Sequence, residues 1–233
     1  MSESLLLYSR AVSSASYRVR IALHLKQQRF DVSIIDEKQQ RQKGSDYLDL
    51  NPQSLIPLLI HKSAGREVKL NQSLAIMEYL QDTFPQQGTA LLPADVLGRA
   101  RARSLALHIA CEMQPLNNSC VVKHLQTDLK ADAATAKAWQ VYWATKGFSG
   151  LEKELESTLT GQFCHGDSPT IADCCLVPQV FRCTLPRVGL NLDDYPQIKR
   201  IYNNCLKLPE VQKAMPQQQP DAPDAGFLTA LYA

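Results

Sequence analysis

The first third of the chain alternates short apolar runs with amphipathic segments. Apolar or branched residues at strand-like spacing predict strands at residues 5–8, 30–35, 58–61 and 67–70. Apolar positions at helical spacing predict helices at residues 16–26 and 73–83, with a short turn or helix at residues 44–50. This short segment ends before Pro52, because a residue that precedes proline avoids the helical region.

The order of these elements is strand, helix, strand, loop, proline, strand, strand, helix, which is the order of a thioredoxin-like domain. Its first two strands are parallel because a helix connects them, and its last two can form an antiparallel hairpin. Residues 85–95 are polar and contain glycine and proline, which indicates a linker. Helical periodicity then predicts helices in residues 96–129, 131–159, 170–185 and 198–206.

The predicted fold class is therefore an α/β thioredoxin-like domain at residues 1–84 and an all-α domain at residues 96–233. The tail after Met215, rich in proline and glutamine, is expected to be extended. Composition fits a globular protein, with 45% hydrophobic and 21% charged residues among 233. The net charge of only +2 gives no electrostatic reason to expect a nucleic acid or a membrane surface as a partner.

Cysteine usage indicates a reduced, cytoplasmic protein. The seven cysteines are an odd number and contain no C-x-x-C pair, and Cys174 and Cys175 are adjacent, which suits a structural disulfide poorly. His108 and Cys111 can share a helix face, but two potential ligands do not make a zinc site. We therefore expect no metal.

Serine hydroxyls cluster between the first predicted strand and the first helix, at Ser13, Ser14 and Ser16. One interpretation is structural, with Ser16 as the N-cap of the helix. The other is functional, because the loop follows the carboxyl end of a strand, where open α/β sheets bind ligands. It also leads into a helix N-terminus, which favours an anion. The position of the loop favours the functional interpretation.

Two further segments share this ambiguity. Pro57 directly precedes a strand, and the proline at this place in thioredoxin-like folds is cis, which leaves the backbone of Ile56 free for an extended peptide. Ser73 can cap its helix or, together with Gln72 and the helix N-terminus, can receive a carboxylate.

A polar motif in the helical half favours a structural interpretation instead. Thr170 precedes an apolar run, and Asp173 follows it at the spacing of a capping box, with aspartate in the usual glutamate position. Asp173 is therefore expected to stabilise a buried helix.

Taken together, these segments resemble the zeta class of the glutathione transferases. Residues 13–23 resemble the class signature S-S-C-x-x-R-V-R-I-A-L, and residues 72–80 resemble its Q-S-L-A-I-I-E-Y-L. Residues 114–118 and 173–180 resemble segments of the helical domain of that class. The resemblance extends over nearly the whole chain. It implies the glutathione transferase fold, glutathione as cofactor and a homodimer. It also implies isomerisation of maleylacetoacetate, a small dicarboxylate, to fumarylacetoacetate in tyrosine and phenylalanine catabolism.

The resemblance also implies site residues. Ser13 and Ser14 would be catalytic, with Ser13 next to the glutathione thiol. The implied cofactor-binding residues are Ser13, Ser14, Ala15, Ser16, Tyr17, Arg18, Gln42, Ile56, Pro57, Gln72, Ser73, Gln114, Asn118, Ser119 and Cys120. Substrate binding is implied for Arg18 and Arg187, with Arg182 as a rival to Arg187. At its helical phase Arg20 is expected to be solvated.

The chain departs from the class pattern at two positions. Ala15 stands where the class has cysteine, and Tyr17 stands where it often has tryptophan. A serine hydroxyl can donate to a thiolate, and the helix N-terminus adds positive potential, so we expect Ala15 to be tolerated. Reversible addition of the thiolate to a conjugated double bond then permits rotation.

Other functions stay open. The same site would serve a maleylpyruvate isomerase or a general transferase that acts on small electrophiles such as haloacids. A thiol oxidoreductase is disfavoured, because disulfide exchange needs a cysteine in the serine loop. A non-catalytic glutathione-binding protein is the remaining alternative.

Overall fold

The computed structural model describes residues 3–36 and 41–222, which form two compact units. The first unit comprises residues up to Leu91 together with the segment that begins at Leu208, and the second comprises Leu92–Lys207. The domain limits of 1–84, 85–95 and 96–233 stay a prediction. The packing of the segment after Leu208 with the first unit differs from those limits.

The first unit has the predicted order of strands and helices. Its elements are β1 (Ser4–Ser9), α1 (Ser14–Leu25), β2 (Asp31–Ile34), α2 (Ser45–Leu48), β3 (Leu58–Ser63), β4 (Arg66–Asn71) and α3 (Ser73–Thr83). The strands form one mixed sheet in the order β2-β1-β3-β4. β1 is parallel to β2, because α1 connects them, and the other two pairs are antiparallel. The α/β thioredoxin-like prediction is confirmed.

The second unit is helical throughout its described residues, apart from turns and one isolated β-bridge. Its helices are α4 (Val96–Leu107), α5 (Ser119–Thr127), α6 (Ala133–Leu155), α7 (Ile171–Thr184) and α8 (Pro196–Leu206). The predicted helical stretch 96–129 is not continuous. A π-helical turn at His108–Met113 and a 3-10 turn at Pro115–Asn117 separate α4 from α5, because Pro115 cannot donate a helical hydrogen bond.

The predicted capping box is confirmed at the start of α7. The Thr170 hydroxyl accepts from the Ala172 N–H (3.2 Å), and Asp173 Oδ2 accepts from the Thr170 N–H (2.8 Å). Asp173 Oδ1 also accepts from the Cys164 N–H (2.9 Å). Burial raises the pKa of the Asp173 carboxyl, and the hydrogen bonds from Cys164 and Thr170 oppose that rise. Asp173 thus holds together the helix start and the loop before it.

The chain returns to the first unit after α8. Helix α9 (Pro209–Ala214) packs against α1, and a 3-10 turn follows at Pro216–Gln218. The expectation of an extended tail after Met215 is therefore wrong for this turn, and the tail beyond residue 222 lies outside the described residues. No helix in the described part of the chain is long and apolar enough to cross a membrane.

Candidate active site

The register of the sheet brings the sequence-predicted segments of the first unit to one end. Tyr8, near the end of β1, pairs with Leu58, the first residue of β3, and Leu58 pairs with Asn71, the last residue of β4. Ser9 pairs with Ile34, the last residue of β2. The serine loop after β1, the proline before β3 and the start of α3 after β4 therefore emerge at the same end of the sheet.

Ser13 is the N-cap of α1. Its Oγ accepts from the Ser16 N–H (3.2 Å), and its own N–H donates to the Arg10 carbonyl (3.1 Å), which closes a turn over residues 10–13. The alternative with Ser16 as the cap is wrong, since the helix begins at Ser14 and Ser16 is fully buried within its first turn. Because the Ser13 oxygen serves as an acceptor in the cap, its proton can still be donated to a ligand.

The first turn of α1 is electropositive. It contains no acidic residue, so its free N–H groups and dipole favour an anion. Ala15, in this turn, contributes neither a hydroxyl nor a thiol. Tyr17 is buried, with the Arg20 guanidinium carbon 5.2 Å from its ring centroid, so this position supports the loop from inside the fold.

The Ile56–Pro57 peptide bond is cis, as predicted. Among the described residues, no hydrogen bond involves the Ile56 backbone, so its N–H and C=O are available to an extended peptide. The Leu55 carbonyl just before it is held by Tyr47 Oη (2.6 Å) and Asn51 Nδ2 (2.7 Å). Asn51 is fully buried. Sequence reasoning missed its role, and the available signal was a polar residue directly before Pro52.

The start of α3 differs from its predicted cap. Gln72, with φ of 65°, is the N-cap, and Ser73 is the first helical residue. The Ser73 hydroxyl accepts from Arg18 Nη1 (3.2 Å), which leaves the Ser73 proton for another acceptor. Gln72 Nε2 donates to Gln53 Oε1 (2.8 Å), which ties the start of α3 to the loop before the cis proline. The first turn of α3 also contains no acidic residue.

Arg18 and Arg20 are both buried, at 3% and 0% exposed, so the expectation of a solvated Arg20 is wrong. The reason is that α3 and α9 cover α1 and supply acceptors for both guanidinium groups. Burial lowers the pKa of Arg20 to about 10, partly opposed by Tyr17 and Asp221. Within the described residues, Nε and Nη2 of Arg18 have no hydrogen-bond partner. Arg18 therefore places a buried positive charge at the start of α3.

Gln42 belongs to the same end of the first unit. It lies in a 3-10 turn at Arg41–Lys43, and its backbone carbonyl accepts from the Ser54 hydroxyl (2.6 Å). Its side-chain Oε1 is buried and has no partner among the described residues. Such an atom is costly to leave unsatisfied, which favours a bound ligand that donates to it.

In the second unit, the predicted residues lie together around the start of α5. Gln114 precedes the 3-10 turn, and Asn118 is the N-cap of α5, with its Oδ1 accepting from the Cys120 N–H (3.1 Å). Ser119 and Cys120 are exposed in the first turn. Among the described residues, no group of three or more acidic, histidine or cysteine side chains could hold a metal ion.

The two rival arginines occupy different places in this unit. Arg182, on the last turn of α7, donates from Nη2 to the Asn117 carbonyl (2.5 Å) and to Ser119 Oγ (3.5 Å). Arg187 follows α7 in the next turn and is half-buried. Hydrogen bonds thus join Arg182 to the start of α5, while the substrate role of Arg187 stays a prediction.

Comparisons with known proteins agree with this architecture. Residues 12–83 match the family profile of the glutathione S-transferase N-terminal domain, and residues 132–204 match that of the C-terminal domain. A probable maleylacetoacetate isomerase of Vibrio cholerae is 38% identical over 221 residues, which cover 94% of this chain and 99% of the relative. The chain therefore belongs to the glutathione S-transferase family.

Solved structures narrow the position within the family. A maleylpyruvate isomerase, described as a bacterial zeta-class glutathione transferase, is 36% identical with a TM-score of 0.86 and covers 94% of this chain and 100% of its own. A maleylacetoacetate isomerase of Anaeromyxobacter dehalogenans with glutathione in its active site is 38% identical, with a TM-score of 0.84 and coverage of 95% and 99%. The same enzyme has also been solved with dicarboxyethyl glutathione and citrate. The resemblance to the zeta class is thus confirmed.

Proposed function

We propose that this chain is a glutathione-dependent isomerase that converts maleylacetoacetate to fumarylacetoacetate. The observation that carries the proposal is Ser13, which caps an acid-free helix N-terminus and retains a proton to donate. The relatives named maleylacetoacetate isomerase, similar over more than nine-tenths of this chain, support the choice of substrate.

The residues of the first unit fit a glutathione molecule. The Ile56 backbone, which makes no hydrogen bond within the described part of the chain, suits the extended peptide, and Pro57 holds that backbone in place. The start of α3, with Gln72 and the donor proton of Ser73, suits the γ-glutamyl carboxylate. The Oε1 of Gln42, which has no partner among the described residues, offers an acceptor to the peptide.

The Ser13 hydroxyl would donate a hydrogen bond to the glutathione sulfur, and the N-terminus of α1 would add positive potential. Both interactions lower the pKa of a thiol, and a pKa lower by one corresponds to about 1.4 kcal/mol in favour of the thiolate. Bound glutathione supplies a thiolate that adds reversibly to the conjugated cis double bond, allows rotation about it and leaves again. Ser13 would thus stabilise the thiolate both as the attacking group and as the leaving group. A thiol pKa near the working pH suits both steps.

The substrate carboxylates need cationic or N–H partners. Because Arg18 is buried, we propose that it acts on bound carboxylates through its positive charge and through its hydrogen bond to Ser73. Ser14, Ser16 and Tyr17 complete the serine loop. In the second unit we propose that Gln114 and the start of α5 at Asn118, Ser119 and Cys120 contribute to binding. An arginine there, Arg187 or its rival Arg182, would hold a substrate carboxylate. The dicarboxyethyl glutathione bound to a relative supports a small dicarboxylate as the substrate.

We further propose a cytoplasmic homodimer. None of the seven cysteines, all of which lie in the described part of the chain, forms a disulfide, which fits a reducing compartment. Val96 and Leu97 at the start of α4 are 84% and 67% exposed, and apolar residues exposed to this degree favour a protein contact. Light scattering after size exclusion would measure the mass, and a monomeric mass at all accessible concentrations would contradict the homodimer.

The proposed function is tested by assaying the purified protein and glutathione with maleylacetone and maleylpyruvate. We expect turnover, a strong loss in Ser13→Ala and little change in Ala15→Cys. Ser14→Ala removes the neighbouring hydroxyl and shows which of the two serines carries the chemistry. Strong damage in Ser14→Ala with none in Ser13→Ala would assign the chemistry to the other serine. Glutathione binding without turnover of either compound would replace the isomerase by a binding protein.

Maleylpyruvate isomerase is the second candidate, because a zeta-class relative of that name covers this chain equally well. Ratios of kcat/KM for maleylacetone and maleylpyruvate separate the two, because both reactions use the same first unit and differ only in the substrate. Halide release from a haloacid would measure any general transferase activity in the same preparation.

A further inference from the structure

Both backbone polar groups of Ala11, two residues before Ser13, form hydrogen bonds with side chains. Its N–H donates to Asp221 Oδ2 (2.8 Å), and its carbonyl accepts from Arg20 Nη2 (2.9 Å). The neighbouring Arg10 carbonyl accepts from both Arg20 Nη1 (3.1 Å) and the Ser13 N–H (3.1 Å). The Arg10 carbonyl and both backbone groups of Ala11, in the turn before Ser13, are therefore hydrogen-bonded to Arg20 or Asp221.

Arg20 is itself rigidly held. It is fully buried, its Nε donates to the Ala214 carbonyl at the end of α9 (3.0 Å), and Nη1 also donates to Ser9 Oγ at the end of β1 (3.1 Å). A planar guanidinium with this many fixed acceptors has one orientation only. Arg20 thus joins the end of β1, the turn before Ser13 and the C-terminal segment in one hydrogen-bond network.

This hydrogen-bond network depends on residues that are distant in sequence. Asp221 lies 210 residues from Ala11, and Ala214 lies 194 residues from Arg20. Both belong to the segment after Leu208, which packs with the first unit. Asp221 also provides a negative charge that compensates buried Arg20. No motif near the serine loop encodes these contacts.

We propose that Arg20 and Asp221 are positioning residues for Ser13, so that the C-terminal segment completes the glutathione site. The inference rests on the proposed role of Ser13 as donor to the glutathione sulfur. A hydrogen bond weakens steeply with distance and angle, so a shift of the turn that displaces Ser13 weakens its bond to the thiolate. In this proposal neither residue binds glutathione directly, and both act through the turn before Ser13.

The test compares Asp221→Ala, Asp221→Asn and a matched control, Asp193→Ala, which removes an exposed carboxylate in the second unit. Asp221 is partly buried and accepts one hydrogen bond from the described backbone, so its variants are expected to fold, which thermal melting checks. The alanine variant removes the acceptor for the Ala11 N–H. The asparagine variant keeps an acceptor oxygen and removes only the charge.

Three readouts separate positioning from general damage. Hydrogen exchange of the Ala11 amide in the ligand-free protein is expected to accelerate about 3- to 10-fold in Asp221→Ala, the range expected for one lost hydrogen bond. Thiolate absorbance of the glutathione complex across a pH series is expected to show a thiol pKa moved back toward that of free glutathione. Calorimetry is expected to show a glutathione dissociation constant within about twofold of wild type, because the peptide-binding residues are untouched.

Asp221→Asn is expected to restore exchange protection and the low thiol pKa, and Asp193→Ala to match wild type in every readout. A thiol pKa in Asp221→Ala equal to that of wild type overturns the inference, as does an asparagine variant as impaired as the alanine variant. If wild type itself does not lower the thiol pKa, the proposed role of Ser13 fails instead.

Discussion

Removal of the Asp173 carboxylate is expected to destabilise the second unit severely. Asp173 is buried and accepts from the backbone N–H groups of Cys164 and Thr170 at 2.9 and 2.8 Å. Asp173→Ala leaves both N–H groups buried without a partner. A buried donor left unsatisfied costs about 1–3 kcal/mol, so two cost about 2–6 kcal/mol.

One effect lowers that magnitude. The buried carboxylate is costly to ionise, as its raised pKa indicates, and its removal recovers part of that cost. We therefore expect a loss of about 2–4 kcal/mol, which is a large fraction of the roughly 5–15 kcal/mol that stabilises a typical domain. Thr170→Ala removes the hydroxyl that accepts from the Ala172 N–H and donates to Asp173 Oδ2 (3.1 Å), but it keeps both backbone bonds to the carboxylate, so it is expected to cost about 1 kcal/mol.

Urea unfolding followed by tryptophan fluorescence measures this loss directly. The only tryptophans of the chain are Trp139 and Trp143, and both lie on α6, so the signal reports on the second unit. Asp193→Ala controls for the lost charge at an exposed position. A free energy of unfolding for Asp173→Ala within about 1 kcal/mol of wild type, or above that of Thr170→Ala, would refute the reasoning.

Two other predictions follow from burial and from the cis-proline loop. Ellman's reagent should modify the exposed Cys111 and Cys120 rapidly in native protein, while the five buried cysteines should react slowly because they are buried. Burial also raises the pKa of four of these five thiols, and more than two rapid thiols would contradict the prediction. Asn51→Ala removes one of two donors to the Leu55 carbonyl and should raise the glutathione dissociation constant, measured by calorimetry, about tenfold. Tyr79→Phe, which removes a hydrogen bond to His61, is the control, and an unchanged dissociation constant in Asn51→Ala would disprove the prediction.

The order of strands and helices in the first unit could be predicted from the sequence, because alternation and helical spacing are local signals. The capping box at Thr170 and Asp173 was equally accessible, since its partners are three residues apart. Cap positions were less accurate. Several serines precede α1, and any of them can cap a helix, so only the backbone geometry identifies Ser13.

The surroundings of the arginines could not be predicted. Arg20 has the spacing and charge of a surface residue, and its burial depends on acceptors supplied by the C-terminal segment. Likewise, the break between α4 and α5 combines a local signal, Pro115, with a π-helical turn that no sequence pattern marks. The site residues of the second unit were assigned by resemblance, and their contacts with a ligand stay predictions.

The discontinuity of the first unit has a consequence during synthesis. Residues from Leu208 onward leave the ribosome only after Leu92–Lys207 has been translated, which takes on the order of 10 s at usual elongation rates. Throughout that interval the nascent first unit lacks the carbonyl of Ala214 for Arg20 and the carboxylate of Asp221 for Ala11. The serine loop therefore acquires its final support late in translation, and a nascent chain captured before that point is expected to differ from the finished protein at this loop.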